Sequence, residues 1–148
     1  MEVSYKALLP RQSILPNELV IEIYIEDINK IFPNMKNQQY EYIILTSNPD
    51  SIYMFNLAFN KNGLYGHSSF PQLNNEIYIN ELNELNCIQK KYMVKYAGRI
   101  IFDNMGKLKT WNNSSGHYKP NYMDAHIIGL DMNKFHKFIK FSWAKKVI

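Results

Sequence analysis

The stretch Asn17 to Pro33, NELVIEIYIEDINKIFP, decides the fold because its apolar residues satisfy two periods at once. Val20-Ile21, Tyr24-Ile25, Ile28 and Ile31-Phe32 recur at helical spacing, which gathers them into one stripe. Asn17 stands where an N-cap belongs, and Pro33 stops a helix at the residue before it. The same residues are rich in β-branched side chains, which favour an extended chain. The helical reading predicts a helix over Glu18 to Phe32.

Downstream the period changes. After a polar turn at Asn34 to Gln39, Tyr42-Ile43-Ile44-Leu45 reads as a buried strand. Asn48-Pro49-Asp50 is a turn, and Ile52 to Phe59 is the returning strand. A second turn at Asn60 to Gly63 leads into Leu64 to Phe70, and Ile77-Tyr78-Ile79 reads as a short strand. Tyr92 to Phe102 is a long strand, and Asn104-Met105-Gly106 is a hairpin turn into Lys107 to Trp111. Asp131 is placed to cap a closing helix with Phe135, Phe138 and Ile139 on one face. The expected fold is α+β, an antiparallel sheet flanked by an N-terminal and a C-terminal helix. No repeat, linker or low-complexity tract interrupts residues 1–148, so one globular domain is expected.

Composition sets the outer limits. With 46% hydrophobic and 20% charged residues over 148 positions, the chain has material for a packed core. No apolar run reaches bilayer-spanning length and no signal-peptide pattern opens the chain, so a soluble protein without membrane contact is expected. The formal charge of +4 permits an anionic partner without requiring one. Cys87 is the single cysteine, which excludes an internal disulfide and a cysteine-built zinc cluster. No H-x-H or H-x₃-H pair sits beside carboxylates, so neither a metal nor a cofactor is expected.

Two short clusters carry the chemistry. Gly66-His67-Ser68-Ser69-Phe70-Pro71 and the loop WNNSSGHYKPN, Trp111 to Asn121, share serine, glycine, histidine and aromatic residues. A connecting loop needs Gly, Asn or Pro to turn, but not His, Tyr and Lys in succession. Two histidines facing one pocket divide acid and base roles near neutral pH. A histidine–serine pair that merely ties loops together is the plainer explanation, and Trp111, Trp143 and the tyrosine-rich strands read as core. His126 and His136 read as surface positions, and the lysines at 134, 137, 140, 145 and 146 as a solvated face.

The clusters belong to a longer pattern. GHSSF at Gly66 to Phe70, AGR at Ala97 to Arg99, and GKLKTW followed by SGHYKP at Ser115 to Pro120 occur in this order. The pattern resembles the domain of plant IQ-motif-containing calmodulin-binding proteins, and it is similar to modules of bacterial secreted toxins and effectors. The resemblance covers Tyr42 to Pro120. It departs at Pro71 to Asn75, where the plant proteins carry a glycine- and alanine-rich stretch. The calmodulin-binding IQ helix is missing too, so calmodulin is not an expected partner. A shared site, not a named activity, is what the resemblance implies.

A shorter likeness bears on reaction type. Arg99-Ile100-Ile101-Phe102, a glycine-containing hairpin and then His117-Tyr118 resemble the C-terminal end of barnase-like ribonucleases. This implies metal-independent RNA cleavage in an effector- or toxin-like hydrolase. His67, His117 and Arg99 would serve as base, acid and phosphorane-binding cation, with Tyr118 beside Arg99 stabilising the developing anion. Ser68, Ser69, Ser115, Lys119 and Trp111 complete the expected substrate-binding set. No glutamate base is evident in the pattern. The partner is RNA or a nucleotide-like anion, joined by a host or immunity protein if the module is a toxin. Its place is the cytoplasm, or a target cell into which a larger toxin carries it. Two alternatives stand beside this reading. One is an NAD- or ADP-ribose-acting transferase or hydrolase, which would need Asp124 or Asp131 in place of a late glutamate, since none follows Glu84. The other is a non-catalytic protein-binding domain.

Overall fold

The computed structural model describes residues 4–7, 13–75 and 93–138. Its centre is a seven-stranded sheet. The strands are β1 (Tyr5–Lys6), β2 (Ile21–Tyr24), β3 (Gln39–Leu45), β4 (Ser51–Asn56), β5 (Met93–Phe102), β6 (Leu108–Asn112) and β7 (Phe135–His136). They lie in the order β2-β4-β3-β5-β6-β7, with β1 paired to the start of β5. All pairs are antiparallel except β6 with β7, so the sheet is mixed.

The expected flanking helices are replaced by strand and turn. Among the described residues every helical segment is a 3-10 turn, the longest being Tyr122–Ile127. Over the stretch read as the first helix the chain makes a turn at Asn17–Leu19, then β2, then a second turn at Ile25–Asp27. The period of two wins there. Ile23 is buried while Glu22 and Tyr24 are exposed, and Ile21 and Ile23 lie opposite Met54 and Ile52 of β4. Pairing with a buried strand favours β-branched side chains, which lose χ1 freedom in a helix. Asn17 caps nothing; the cap position is Pro16, with no side-chain hydrogen bond.

At the other end Asp131 does cap, its Oδ1 accepting from the Asn133 amide at 2.9 Å. The helix it begins is one turn, Met132–Lys134, after which Phe135 enters β7 opposite Trp111. The two rings pack 4.6 Å apart between centroids, and that contact extends the chain instead of coiling it. The rest of the expected closing helix from Ile139 onward lies outside the described residues. So do the expected strand at Ile77 to Ile79, Cys87, Trp143, Lys140, Lys145 and Lys146.

The strands read over Tyr42–Leu45, Tyr92–Phe102 and Lys107–Trp111 correspond to β3, β5 and β6, with shifts at their ends. The returning strand stops early, at Asn56, whose Oδ1 accepts from the Ala58 amide at 2.9 Å and opens a turn at Leu57–Phe59.

What positions the site is the pairing of β3 with β5, from Gln39 opposite Ile101 to Leu45 opposite Val94. Side chains alternate between the two faces. Tyr40, Tyr42 and Ile44 point one way with Tyr96, Ile100 and, from β6, Trp111. There Tyr96 packs edge-on against both Tyr5 and Trp111, each at 6.3 Å. Glu41, Ile43, Arg99 and the Phe55 of β4 point the other way. The segment after β4 covers part of this second face, with Phe55 packing on Tyr65 at 6.5 Å and on Phe70 at 5.5 Å. That cover brings Gly66 to Ser69 down onto the sheet.

Gly98 in β5 fixes the second approach. A Cβ there would stand 1.9 Å from the Asn112 carbonyl oxygen, so only glycine lets the end of β6 cross so closely. The Tyr42 hydroxyl donates to that same carbonyl at 2.8 Å. The loop that begins at Asn113 is thereby held beside Arg99.

Candidate active site

The two sequence clusters meet. A cleft of about 230 Å³ is lined by Glu41, Asn60, Gly63, Tyr65, Gly66, His67, Arg99, Ser114, Gly116 and His117. One wall comes from the turn after β4, the other from the loop after β6, and the floor from β3 and β5.

The floor is an arrangement of three charged or titratable groups. Glu41 is buried, with the His67 Nδ1 at 3.6 Å from its Oε2 and an Arg99 Nη2 at 3.7 Å from its Oε1. A carboxylate this buried needs such company, because burying a charge alone is costly. Arg99 reaches it from the directly opposite position of β5 and keeps 44% of its side chain exposed. Both contacts are longer than a hydrogen bond, so the Arg99 charge attracts the carboxylate without saturating its oxygens.

His67 is 3% exposed and its Nε2 lies 2.7 Å from the Gly98 carbonyl oxygen. A carbonyl only accepts, so Nε2 carries a proton and donates it there, and Nδ1 is the nitrogen that faces Glu41. The ring is fixed by a short turn, His67–Ser69, closed by the Gly66 amide donating to Ser69 Oγ at 2.9 Å. The Ser69 carbonyl in turn accepts from the Leu15 amide at 2.9 Å.

His117 is half-buried on the opposite wall. Its loop is tied at several points. Asn112 Oδ1 accepts from the Arg99 and Ser114 amides, each at 2.9 Å. Buried Asn113 donates to the Pro120 carbonyl at 2.8 Å, and the Ser115 carbonyl accepts from the Lys119 amide at 2.7 Å. At the loop's end the Asn121 amide donates to the Tyr5 hydroxyl and its carbonyl accepts from the Tyr96 hydroxyl, both at 3.0 Å. The Tyr5 hydroxyl also donates to Asp124.

Of the residues expected from the sequence, His67, His117 and Arg99 therefore line one cleft. The others are placed elsewhere. Tyr118 is 2% exposed, and Trp111 is fully buried, its indole N–H donating to the Asp131 carbonyl at 2.8 Å. Ser68, Ser69 and Ser115 are buried; the Ser69 hydroxyl closes a turn and the Ser115 hydroxyl accepts from the Tyr118 amide at 3.3 Å. Lys119 occupies a left-handed conformation, φ 46°, and does not line the cleft.

Sequence reasoning missed Glu41. Its signal was a lone carboxylate between Tyr40 and Tyr42 at the head of the run Ile43-Ile44-Leu45. A charge inside a strand buried on both faces needs a partner, but only the register with β5 reveals that the partner is Arg99. Asn60 and Tyr65 were likewise hidden. The Asn60 side chain donates to the Tyr65 carbonyl and accepts from its amide, both at 2.9 Å, which sets Tyr65 rigidly in the cleft wall.

Among the described residues no group of three or more His, Cys, Asp and Glu is placed to hold a metal ion. None of their helices is long and apolar enough to cross a membrane. Compared with known proteins, the chain matches no protein-family model, no curated protein and no solved structure.

Proposed function

We propose that the cleft cleaves single-stranded RNA by acid–base transesterification, with Glu41 as the base, His117 as the acid and Arg99 as the phosphate-binding cation. The observation that carries this reading is the Glu41 carboxylate, lying between His67 and Arg99 on the floor of a cleft that has His117 on its wall. Glu41 takes the proton from a ribose 2′-hydroxyl, whose oxygen forms a bond to phosphorus. The bond from phosphorus to the 5′-oxygen breaks, and protonated His117 gives that oxygen its proton. Arg99 meets the charge that accumulates on the phosphorane oxygens. The products are a 2′,3′-cyclic phosphate and a free 5′-hydroxyl. The same pair, now protonated on Glu41 and neutral on His117, is poised to hydrolyse the cyclic ester in the reverse sense.

His67 takes a different role from the one its sequence suggested. Its Nε2 proton is committed to Gly98 and its ring is buried, so it walls the Glu41 carboxylate by packing and is not the base. The likeness to the plant domain and to bacterial toxin and effector modules supports a cytoplasmic substrate, in the producing cell or in a target cell.

A second reading keeps the same floor. A carboxylate beside an aromatic wall, Glu41 near Tyr65, also suits stabilisation of the oxocarbenium ion that forms when NAD loses nicotinamide. Thermal protection separates the two, because a ligand bound only by the folded state raises its midpoint by mass action. Short RNA or a nucleoside 3′-phosphate is expected to protect, with protection fading as salt rises. RNA cleavage in the presence of a chelator, with a cyclic phosphate end on the product, is the direct positive result. Protection by NAD or ADP-ribose and none by RNA overturns the RNA reading, and silence from all of them favours a protein-binding role.

A further inference from the structure

Glycine at position 116 has no explanation in the fold. Gly98 and Gly106 are required by close backbone approaches, at 1.9 Å from Asn112 and 2.2 Å from Phe32. Gly63, Gly106 and Gly129 occupy left-handed backbone conformations, φ 64°, 83° and 96°, that disfavour any side chain. Gly116 lies outside that region, and a Cβ built on it would meet nothing within 4 Å. It is exposed, and it lines the cleft next to His117. An alanine would therefore meet no steric conflict at this point, and it would lower the entropy of the unfolded chain.

We infer that Gly116 is a specificity-determining residue: the substrate itself occupies the space a side chain would take, packing directly on the Gly116 backbone. The ligand so admitted is a nucleotide whose sugar–phosphate runs between the Gly116 wall and the Gly63–Tyr65 wall, above Glu41 and Arg99. That geometry also explains the setting of His117. A phosphodiester lying on Gly116 brings its leaving oxygen beside the next residue of the chain. The inference rests on the cleft being the substrate site and deepens that reading; it does not depend on which bond is broken.

The prediction is a stability–function opposition at one atom. Gly116→Ala should leave the unfolding midpoint unchanged or raise it by roughly 1–4 °C, because alanine restricts only the unfolded chain. The same change should weaken binding of a nucleoside 3′-monophosphate by roughly tenfold, and Gly116→Val should weaken it further, as expected when extra methyl groups enter an occupied space. Wild type, Gly116→Ala and Gly116→Val are compared for midpoint, for nucleotide affinity by titration calorimetry, and for RNA cleavage. A graded loss of affinity at full stability supports the inference. Equal affinity in all three overturns it, as does a wild type that binds no nucleotide, or a midpoint that falls in Gly116→Ala. A wild type that binds nucleotide without cleaving RNA overturns the reaction and, if Gly116→Val loses that binding, leaves the assignment of Gly116 standing.

Discussion

Glu41 and Tyr42 are neighbours in one strand, both buried, and they serve opposite faces of the sheet. On the Tyr42 side, polar atoms are locked. The Tyr42, Tyr96 and Tyr5 hydroxyls bond Asn112, Asn121 and Asp124, and the Tyr96 ring packs edge-on against both Tyr5 and Trp111. On the Glu41 side, a carboxylate, an imidazole and a guanidinium approach at 3.6–3.7 Å without closing into hydrogen bonds, and the cleft opens above them. The core face uses polar groups to fix the loops. The cleft face leaves the carboxylate and the guanidinium unsaturated. The difference teaches that burial alone does not separate brace from reagent; the degree of hydrogen-bond closure does.

Substitutions can break this contrast. The largest stability effect is expected on the core face, where Trp111→Ala should cost about 3–5 kcal/mol by opening a cavity under Tyr96 and Phe135, read by chemical denaturation. The two histidines come next and should behave differently. His67→Ala strands the Gly98 carbonyl and should cost roughly 1–3 kcal/mol, while His117→Ala should leave the midpoint nearly unchanged yet remove cleavage. Equal stability losses in both would make His117 a loop tie.

A pH titration of stability sharpens the comparison next. Burial, above all, pushes the Tyr5, Tyr42 and Tyr96 hydroxyls up, with Asp124 adding to the effect at Tyr5. Their folded values exceed the unfolded value near 10, so the stability they contribute is complete below about pH 10 and is lost as pH rises above it. Tyr5→Phe and Tyr96→Phe should flatten this alkaline loss, whereas Glu41→Gln should not. The smallest effect is expected at the β5–β6 hairpin, which belongs to neither face. Amides of Lys107 and Met105, donating to Asp103 at 3.0 and 2.8 Å, hold its carboxyl below the usual range. The contribution is present above the unfolded value near 3.9 and lost as pH falls through the depressed folded one. Asp103→Asn should lower the midpoint slightly at neutral pH and remove that acid dependence.

Legibility in the sequence followed the same division. β3 and β5 were readable because apolar runs end in turn residues, β6 because the Asn104-Met105-Gly106 turn leads into it, and the Gly66–Pro71 and Trp111–Asn121 clusters stood out by composition. Glu18 to Phe32 was misread because its isoleucines fit both periods, and only Ile52 and Met54 on the neighbouring strand decide between them. Asp131 was a true cap, but a cap states where a turn starts and not how long it runs; Phe135 ended it by stacking on Trp111. Glu41 was invisible as a site residue because its meaning depends on register. The serines of both clusters were the converse case. Their composition suggested ligand contacts, yet Ser69 and Ser115 use their hydroxyls to close turns.

Glu41, which shares its strand with Tyr42, is the group on which the proposed cleavage depends most, so Glu41→Gln is the decisive change. It preserves shape while removing the charge. Unfolding midpoint and cleavage of a short single-stranded RNA across pH are measured side by side on wild type and variant. The expected result is a midpoint within about 2 °C of wild type, a rate lower by roughly 10²–10⁴-fold, and loss of the acidic limb of the pH–rate profile. A midpoint several degrees lower with cleavage retained would contradict the account and make Glu41 a brace like Tyr42.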